Sequence, residues 1–319
     1  MTLLRLLPFF LALSPLPALA SGLAIVMNSG GASLSLIDMS TRHELRREPV
    51  LREPHHWALT PHGHTLVVGD SAGNELLLLD PDTGAVRRRL VVPDPYQLGF
   101  SPDGDFLLVN GLARNQIDVY SMPDYRLLRR FPIRSMPSHL AFSPDSGRVF
   151  VTLQGSDRVV ALNLRTMTTL WDKPVGNTPA GILWNHGRLL VADMGTDYLA
   201  ELDPTDGHTV RHIVTGRGAH NLFHSPGGQQ IWVNNRVAGT MTVLDSGTLN
   251  LIHTYRLPGG PDDLAFAADG KVWVTRRFAE SIAVLDPATG DYHLIATGRS
   301  PHGVFLNPKA PTPDKIASN

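Results

Sequence analysis

The 319-residue sequence contains no cysteine. That absence excludes disulfides, thiolate zinc sites, iron–sulfur clusters and C-x-x-C-H haem attachment. It also excludes the acylated cysteine of a lipoprotein, so the fold must be held by its apolar core alone. A charge of one sign is lacking as well. Lys and Arg total 28 against 29 Asp and Glu, for a net charge of −1, which gives no electrostatic case for binding nucleic acid or an anionic membrane. Long apolar runs are missing too. Residues 3–13 form the longest such stretch, interrupted by Arg5 and Pro8, and it falls short of the ~20 residues needed to span a bilayer. With Arg5 near its start and Ala18-Leu19-Ala20 after it, this stretch predicts a secretory signal over residues 1–20. The expected product is a periplasmic protein with no membrane anchor after cleavage. No Ser-His-Asp order, P-loop or HExxH is present, and the Gly-Gly pairs are not followed by helices that would cradle phosphate.

What is present is a repeat. A unit of the form Pro-x-x-apolar-small-apolar-Ser-Pro-Asp-Gly is clearest at residues 95–104 and 137–146. Weaker copies begin at Pro54, Pro179, Ala219, Pro261 and Pro301, so that the steps are 40–42 residues throughout. A second column has the same period: a turn led by Asp or a substitute at Asp38, Asp80, Ser121, Asn163, Asp203, Asp245 and Asp286. In Asp80-Pro81-Asp82-Thr83-Gly84 the carboxylate bonds the backbone ahead of it, Pro presets φ, and Gly accepts the positive φ that closes the turn.

Between these turns lie short apolar runs such as 65–69, 106–110, 148–152, 231–234 and 271–275, rich in Val, Leu, Ile and Phe. Their length and spacing predict strands, with no sustained helical period in residues 21–319. Four strands per ~42 residues, seven times over, predict an all-β, seven-bladed propeller across residues 21–308, with a polar tail over 309–319. The first strand, residues 23–28, matches the second strand of a blade, and the last copy supplies only a first strand. The C-terminal strand is therefore expected to complete the N-terminal blade and close the ring, removing an exposed edge.

These residues carry a family likeness. Ser-Pro-Asp-Gly turns followed by Leu-Leu-Val-Asn (107–110), Val-Phe-Val-Thr (149–152) or Trp-Val-Asn-Asn (232–235) resemble the YVTN repeat of bacterial propellers. Ser300-Pro301-His302-Gly303-Val304 and Glu53-Pro54-His55-His56 are similar to copies in the tetrapyrrole-binding propeller of dissimilatory nitrite reductases. The likeness covers the whole of residues 21–308 and implies the propeller fold. It also implies redox or cofactor-maturation chemistry on a metal tetrapyrrole, although the c-type haem domain of those reductases has no counterpart in a chain without cysteine.

In a propeller the first strand of each blade lines the central channel, so the two residues after each repeat proline are expected at its top rim. They are His55-His56, Tyr96-Gln97, Ser138-His139, Ala180-Gly181, His220-Asn221, Asp262-Asp263 and His302-Gly303. Five His in fourteen positions stand against 14 in the whole chain of 319 residues, an enrichment that points to a shared site. Neutral imidazoles beside an Asp pair are a donor set for copper, zinc or iron, giving His55, His56, His139, His220, Asp262, Asp263 and His302 as candidate metal ligands. The alternative for any one of these His is a loop residue tying blade to blade. Tyr96, with Trp57, is placed to add a stacking surface. Loops after the second strand return to the same face, bringing Asn235, Arg236, Arg276 and Arg277 beside the Asp pair, either to neutralise it or to hold an anionic ligand. The other histidines fall on outer strands or turns, and His224 falls in a column of Leu, Phe and Trp, as a core residue would.

Three functions follow from this pattern and remain open: a periplasmic binding protein for a metal ion or metal-bearing cofactor, a redox enzyme using that pocket, and a scaffold presenting its rim to a periplasmic protein partner. If the histidines bind metal, binding is expected to weaken as pH falls through ~6.5, the ordinary imidazole value.

Overall fold

The computed structural model describes residues 22–311. The expected signal segment, residues 1–20, and the tail from 312 onward lie outside them. Seven four-stranded antiparallel sheets form a ring, and among the described residues the only helical element is the 3-10 turn Ser29–Gly31. The innermost strands of blades 2 to 7 are Pro54–Leu59, Gln97–Phe100, Pro137–Phe142, Pro179–Asn185, Ala219–His224 and Pro261–Phe266. Each touches the innermost strand of the next blade. Blade 1 is composite: Pro301–Asn307 is its innermost strand and pairs with Leu23–Asn28, which continues into Ser33–Asp38 and Glu44–Pro49. The ring therefore closes as the sequence implies.

The middle strands of each blade are buried on both faces, as Leu23–Asn28, Leu66–Asp70 and Glu75–Leu79 show, and their sequences are correspondingly near-continuous apolar runs. The outermost strands alternate or are exposed, as in Val86–Val91 with its three arginines, which blunts the outer sheet edges with charge. The Asp column caps the turns by the expected route. Asp80 Oδ1 accepts the amides of Asp82 and Thr83 at 2.8 and 2.9 Å, and Gly84 has φ +69°. Asn163 and Asp245 do the same. The chain stays packed beyond Pro308, since Ala310 is fully buried in the cluster formed by blades 1 and 2.

One irregularity recurs and positions the site. In blades 2, 4, 5, 6 and 7 the pairing of the innermost strand skips just after its first residue, between Pro54 and Trp57, Pro137 and Leu140, Pro179 and Ile182, Ala219 and Asn221, and Pro261 and Leu264. The closing strand skips likewise, opposite Val26 and Asn28. A bulge leaves residues outside the ladder and re-aims their side chains. Those freed residues are the ones that follow the repeat proline.

Closure is testable with one side chain. Val304 is fully buried and Phe305 nearly so, and burial of such side chains contributes about 1.5–3 kcal/mol each. Against a typical stability of about 5–15 kcal/mol, Val304→Asp should lower the melting temperature severely, and deletion of residues 301–319 should leave no cooperative melt. A truncated protein that stays soluble and melts cooperatively would show that the ring closes another way.

Candidate functional site

The bulges carry the predicted histidines inward, and the structure buries them instead of leaving them on an open rim. His55, His56, His139, His220 and His302 are each at most 7% exposed. Their rings form one contiguous cluster, with centroids 3.7 Å apart for His55–His302, 4.4 Å for His56–His302, 4.8 Å for His55–His56, 4.9 Å for His56–His139, 5.4 Å for His139–His220 and 6.0 Å for His220–His302. Residues from blades 1, 2, 4 and 6 meet only because the ring closes. Tyr96 packs against His55 with the rings tilted and their centroids 4.2 Å apart. Blade 5 adds only Ala180 and Gly181, and a Cβ on Gly181 would lie 2.8 Å from the His220 carbonyl and the Asn221 backbone.

The bulges are clamped by the polar residue of the motif's second strand. Thr152 Oγ1 accepts the His139 amide at 3.0 Å and donates to the Ala180 carbonyl of the next blade at 2.7 Å. Thr275 repeats this with the Asp263 amide at 2.9 Å and the His302 carbonyl at 2.7 Å. Asn110 Nδ2 reaches the Ser138 carbonyl at 2.8 Å.

Asp262 anchors one side of the cluster. It is fully buried, receives Arg236, lies 3.3 Å from Arg277 Nη1, and lies 3.0 Å from His220 Nδ1 and 3.5 Å from His302 Nε2. Arg236 Nη2 also contacts His220 Nε2 at 2.7 Å. Since a guanidinium only donates, His220 Nε2 accepts, and its proton sits on Nδ1 facing Asp262. Burial alone would raise the Asp262 carboxyl, but Arg236, His220 and Arg277 outweigh it and bring it down to about 2. Asp262 is therefore ionised.

The remaining ring nitrogens have a different environment. His55 Nδ1, His56 Nε2, His139 Nε2 and both nitrogens of His302 are buried without a hydrogen-bond partner. His139 is held at its other nitrogen by Ser138 Oγ, 2.7 Å away. Two sets of potential ligand atoms lie within 4.8 Å of one another: His55, His56 and His302, and His220, Asp262 and His302. His302 belongs to both. A chamber of roughly 380 Å³ borders His56 and Asp263, walled by Trp57, Ile182, Leu222, Phe223 and Leu264, with Gln97 and Asn221 in its lining.

Three expected site residues are placed elsewhere. Asn235 is buried with both ends committed: Oδ1 accepts the Gly216 amide at 3.1 Å and Nδ2 donates to Thr240 and Thr242. Arg276 donates to the Pro258 carbonyl and Ser281 Oγ, both at 2.8 Å, and braces its own loop. Asp263 faces the closing strand, where it accepts the Val304 amide at 3.1 Å; burial pushes it up to about 7, aided by Asp262 and opposed by the Val304 and Leu264 amides. It is a strut between blades. Trp57 packs on Phe305 at 5.1 Å and not on the histidines. His224, expected in the core, is only half-buried, and its Nε2 meets the Trp184 carbonyl at 3.0 Å. Ser138, beside His139 in the same two-residue window, and Gln97 also reach the site, the first holding the His139 ring and the second lining the chamber.

Burial also overturns the expected pH range. It lowers the imidazoles of His55, His56, His220 and His302 well below 6.5, with mutual and arginine repulsion adding to it, and takes His139 down to about 3. Protons thus compete for these rings only in more acidic solution. The unfolded chain protonates them near 6.5 and the folded chain does not, so stability is lost as pH falls below about 6.5, by up to ~1.4 kcal/mol per pH unit for each histidine. Asp263 at about 7, Asp193, raised by burial to about 8, and Glu75 and Asp94, also raised by burial, act in the opposite direction. Melting temperatures of metal-free protein should therefore fall steeply from pH 6.5 to 4.5; a flat profile would mean that the cluster is not neutral in the folded state.

Comparison with known proteins gives one family and several relatives. The YNCE-like beta-propeller family profile matches residues 7–312. The protein NirF of Pseudomonas aeruginosa is 26% identical over 245 residues, covering 70% of this chain but 51% of NirF, so the chain spans about half the length of that relative. Among solved structures, the periplasmic gluconolactonase PpgL of P. aeruginosa superimposes with a TM-score of 0.72 at 17% identity, over 89% of this chain and 98% of that one. The dihydro-haem d1 dehydrogenase NirN, in complex with DHE, gives 0.67 at 14% identity, over 96% and 78%. At such identities the two structures speak for the fold.

Proposed function

This chain belongs to the YNCE-like beta-propeller family, and from that premise we propose that it is a periplasmic binding protein holding one first-row transition-metal ion in its histidine cluster. The observation that carries this reading is the set of buried, unpartnered imidazole nitrogens on His55, His56, His139 and His302. Each such group costs about 1–3 kcal/mol when left unsatisfied. Histidines that only tie blade to blade would be hydrogen-bonded, yet His302 bonds through neither nitrogen. Neutral nitrogen donors suit zinc, copper or iron, and burial keeps them neutral. Two nitrogens on one ion at ~2.1 Å lie at most about 4.2 Å apart. The set within 4.8 Å needs only a small inward shift of the rings. His220 is less available, because Arg236 occupies its Nε2 lone pair. Periplasmic residence is supported by the signal-like residues 1–20 and by the likeness to a periplasmic propeller.

A metal tetrapyrrole is the second reading, favoured by the likeness to NirF and NirN. Ligand atoms within 4.8 Å of one another suit a single ion, and rings in mutual contact at 3.7–4.9 Å offer no slot between them for a macrocycle, so the ion is preferred.

Purified protein reconstituted with Zn(II) or Cu(II) and dialysed should retain one equivalent by elemental analysis. Loss of an outer-shell partner costs 10–100-fold in affinity, so His302→Ala or His55→Ala, which removes a ligand, should cost at least about a hundredfold. The exposed His208→Ala should change nothing. Metal-free wild type under these conditions, or retention of metal by both cluster variants, would sink the proposal, and a Soret band in protein as isolated would favour the tetrapyrrole.

A further inference from the structure

The charges around Asp262 do not balance. Arg236 and Arg277 both point at its one carboxylate, and Asp263, the other acid in the cluster, has its oxygens engaged by the Val304 and Leu264 amides. The two arginines thus exceed by one positive charge the single carboxylate they face, and a divalent ion on His55, His56 and His302 would add to that local excess, in a region where uncompensated charge is costly. Both arginines also have donors to spare. Arg236 Nε is buried without a partner, and Arg277 makes a single side-chain hydrogen bond, from Nη1 to Asp262 Oδ2 at 3.3 Å, out of five N–H groups. A guanidinium edge matches an anion with two oxygens on one centre.

We propose that the metal is held together with a small carboxylate-type oxyanion, which takes the spare N–H groups of Arg236 and Arg277 and completes the metal's coordination from the Asp262 side. This inference rests on the metal reading above. It makes metal and anion affinities reciprocally linked, since each ligand compensates the charge the other meets. It also gives Arg277 a role of definite sign: without an anion its guanidinium repels the metal, and with one it recruits the co-ligand.

The test is titration of the metal-free protein with Co(II), followed by its d–d absorption, in acetate, formate or perchlorate at one pH and ionic strength. Wild type should bind Co(II) about tenfold or more tightly in acetate or formate than in perchlorate, within the usual range of site-to-site coupling. Arg277→Gln should bind Co(II) more tightly than wild type in perchlorate and show no dependence on the anion. Equal wild-type affinity in all three salts would overturn the anion site while leaving the metal reading intact. Full anion dependence in Arg277→Gln would overturn the assignment to Arg277. Absence of Co(II) binding in every buffer would instead remove the metal reading itself.

Discussion

The pairing of Pro301–Asn307 with Leu23–Asn28 is the interaction on which the rest of the structure depends. With no disulfide available, a ring of wedges whose first and last segments are far apart in sequence is held only by this ladder and the core beneath it. Val26 faces Val304 across the seam, and Ile25 faces Phe305. The same strand carries His302, the ring that touches His55 and His56 and belongs to both ligand sets. Closure of the fold and assembly of the cluster are therefore one event.

A second constraint turns a packing repeat into a site. The innermost strand of a blade must start at the channel and then settle into the ladder, and the bulge after its first residue achieves this. It also frees backbone amides and carbonyls that a buried channel cannot leave bare. Thr152 in blade 4 and Thr275 in blade 7 answer that need, each accepting an amide from its own bulge and donating to the next blade's carbonyl. The threonine of the motif is thus explained by hydrogen-bond satisfaction. Its effect is to hold His139 and His302 in fixed positions about the axis.

The fold was legible in the sequence because two independent columns share one period, and each has a local physical cause, a strand start and an Asp-capped turn. The cluster was legible because a repeat assigns equivalent positions equivalent places, so His55, His139, His220 and His302 could be read as neighbours though far apart in the chain. What the period could not tell is where a side chain points within its window. Asp262 and Asp263 are adjacent, yet one turns to the arginines and the other to the Val304 amide. Arg276 and Arg277 divide the same way. Nor does a column reveal depth, which is why histidines expected at a rim are buried and why their titration moves to lower pH.

Depth is also what distinguishes a ligand site from a polar ornament here. Imidazoles on an open rim would have their nitrogens satisfied by water, and their convergence would mean little. Five buried ring nitrogens without partners, at about 1–3 kcal/mol each, are together comparable with the whole stability of a typical domain at about 5–15 kcal/mol. On the other side of the cluster His220, Asp262 and Arg236 are bonded to one another, so the unpartnered ring nitrogens are confined to the half that His55, His56, His139 and His302 share. On the proposed reading a metal ion takes lone pairs from that half, while an oxyanion brings negative charge to the bonded half beside Asp262.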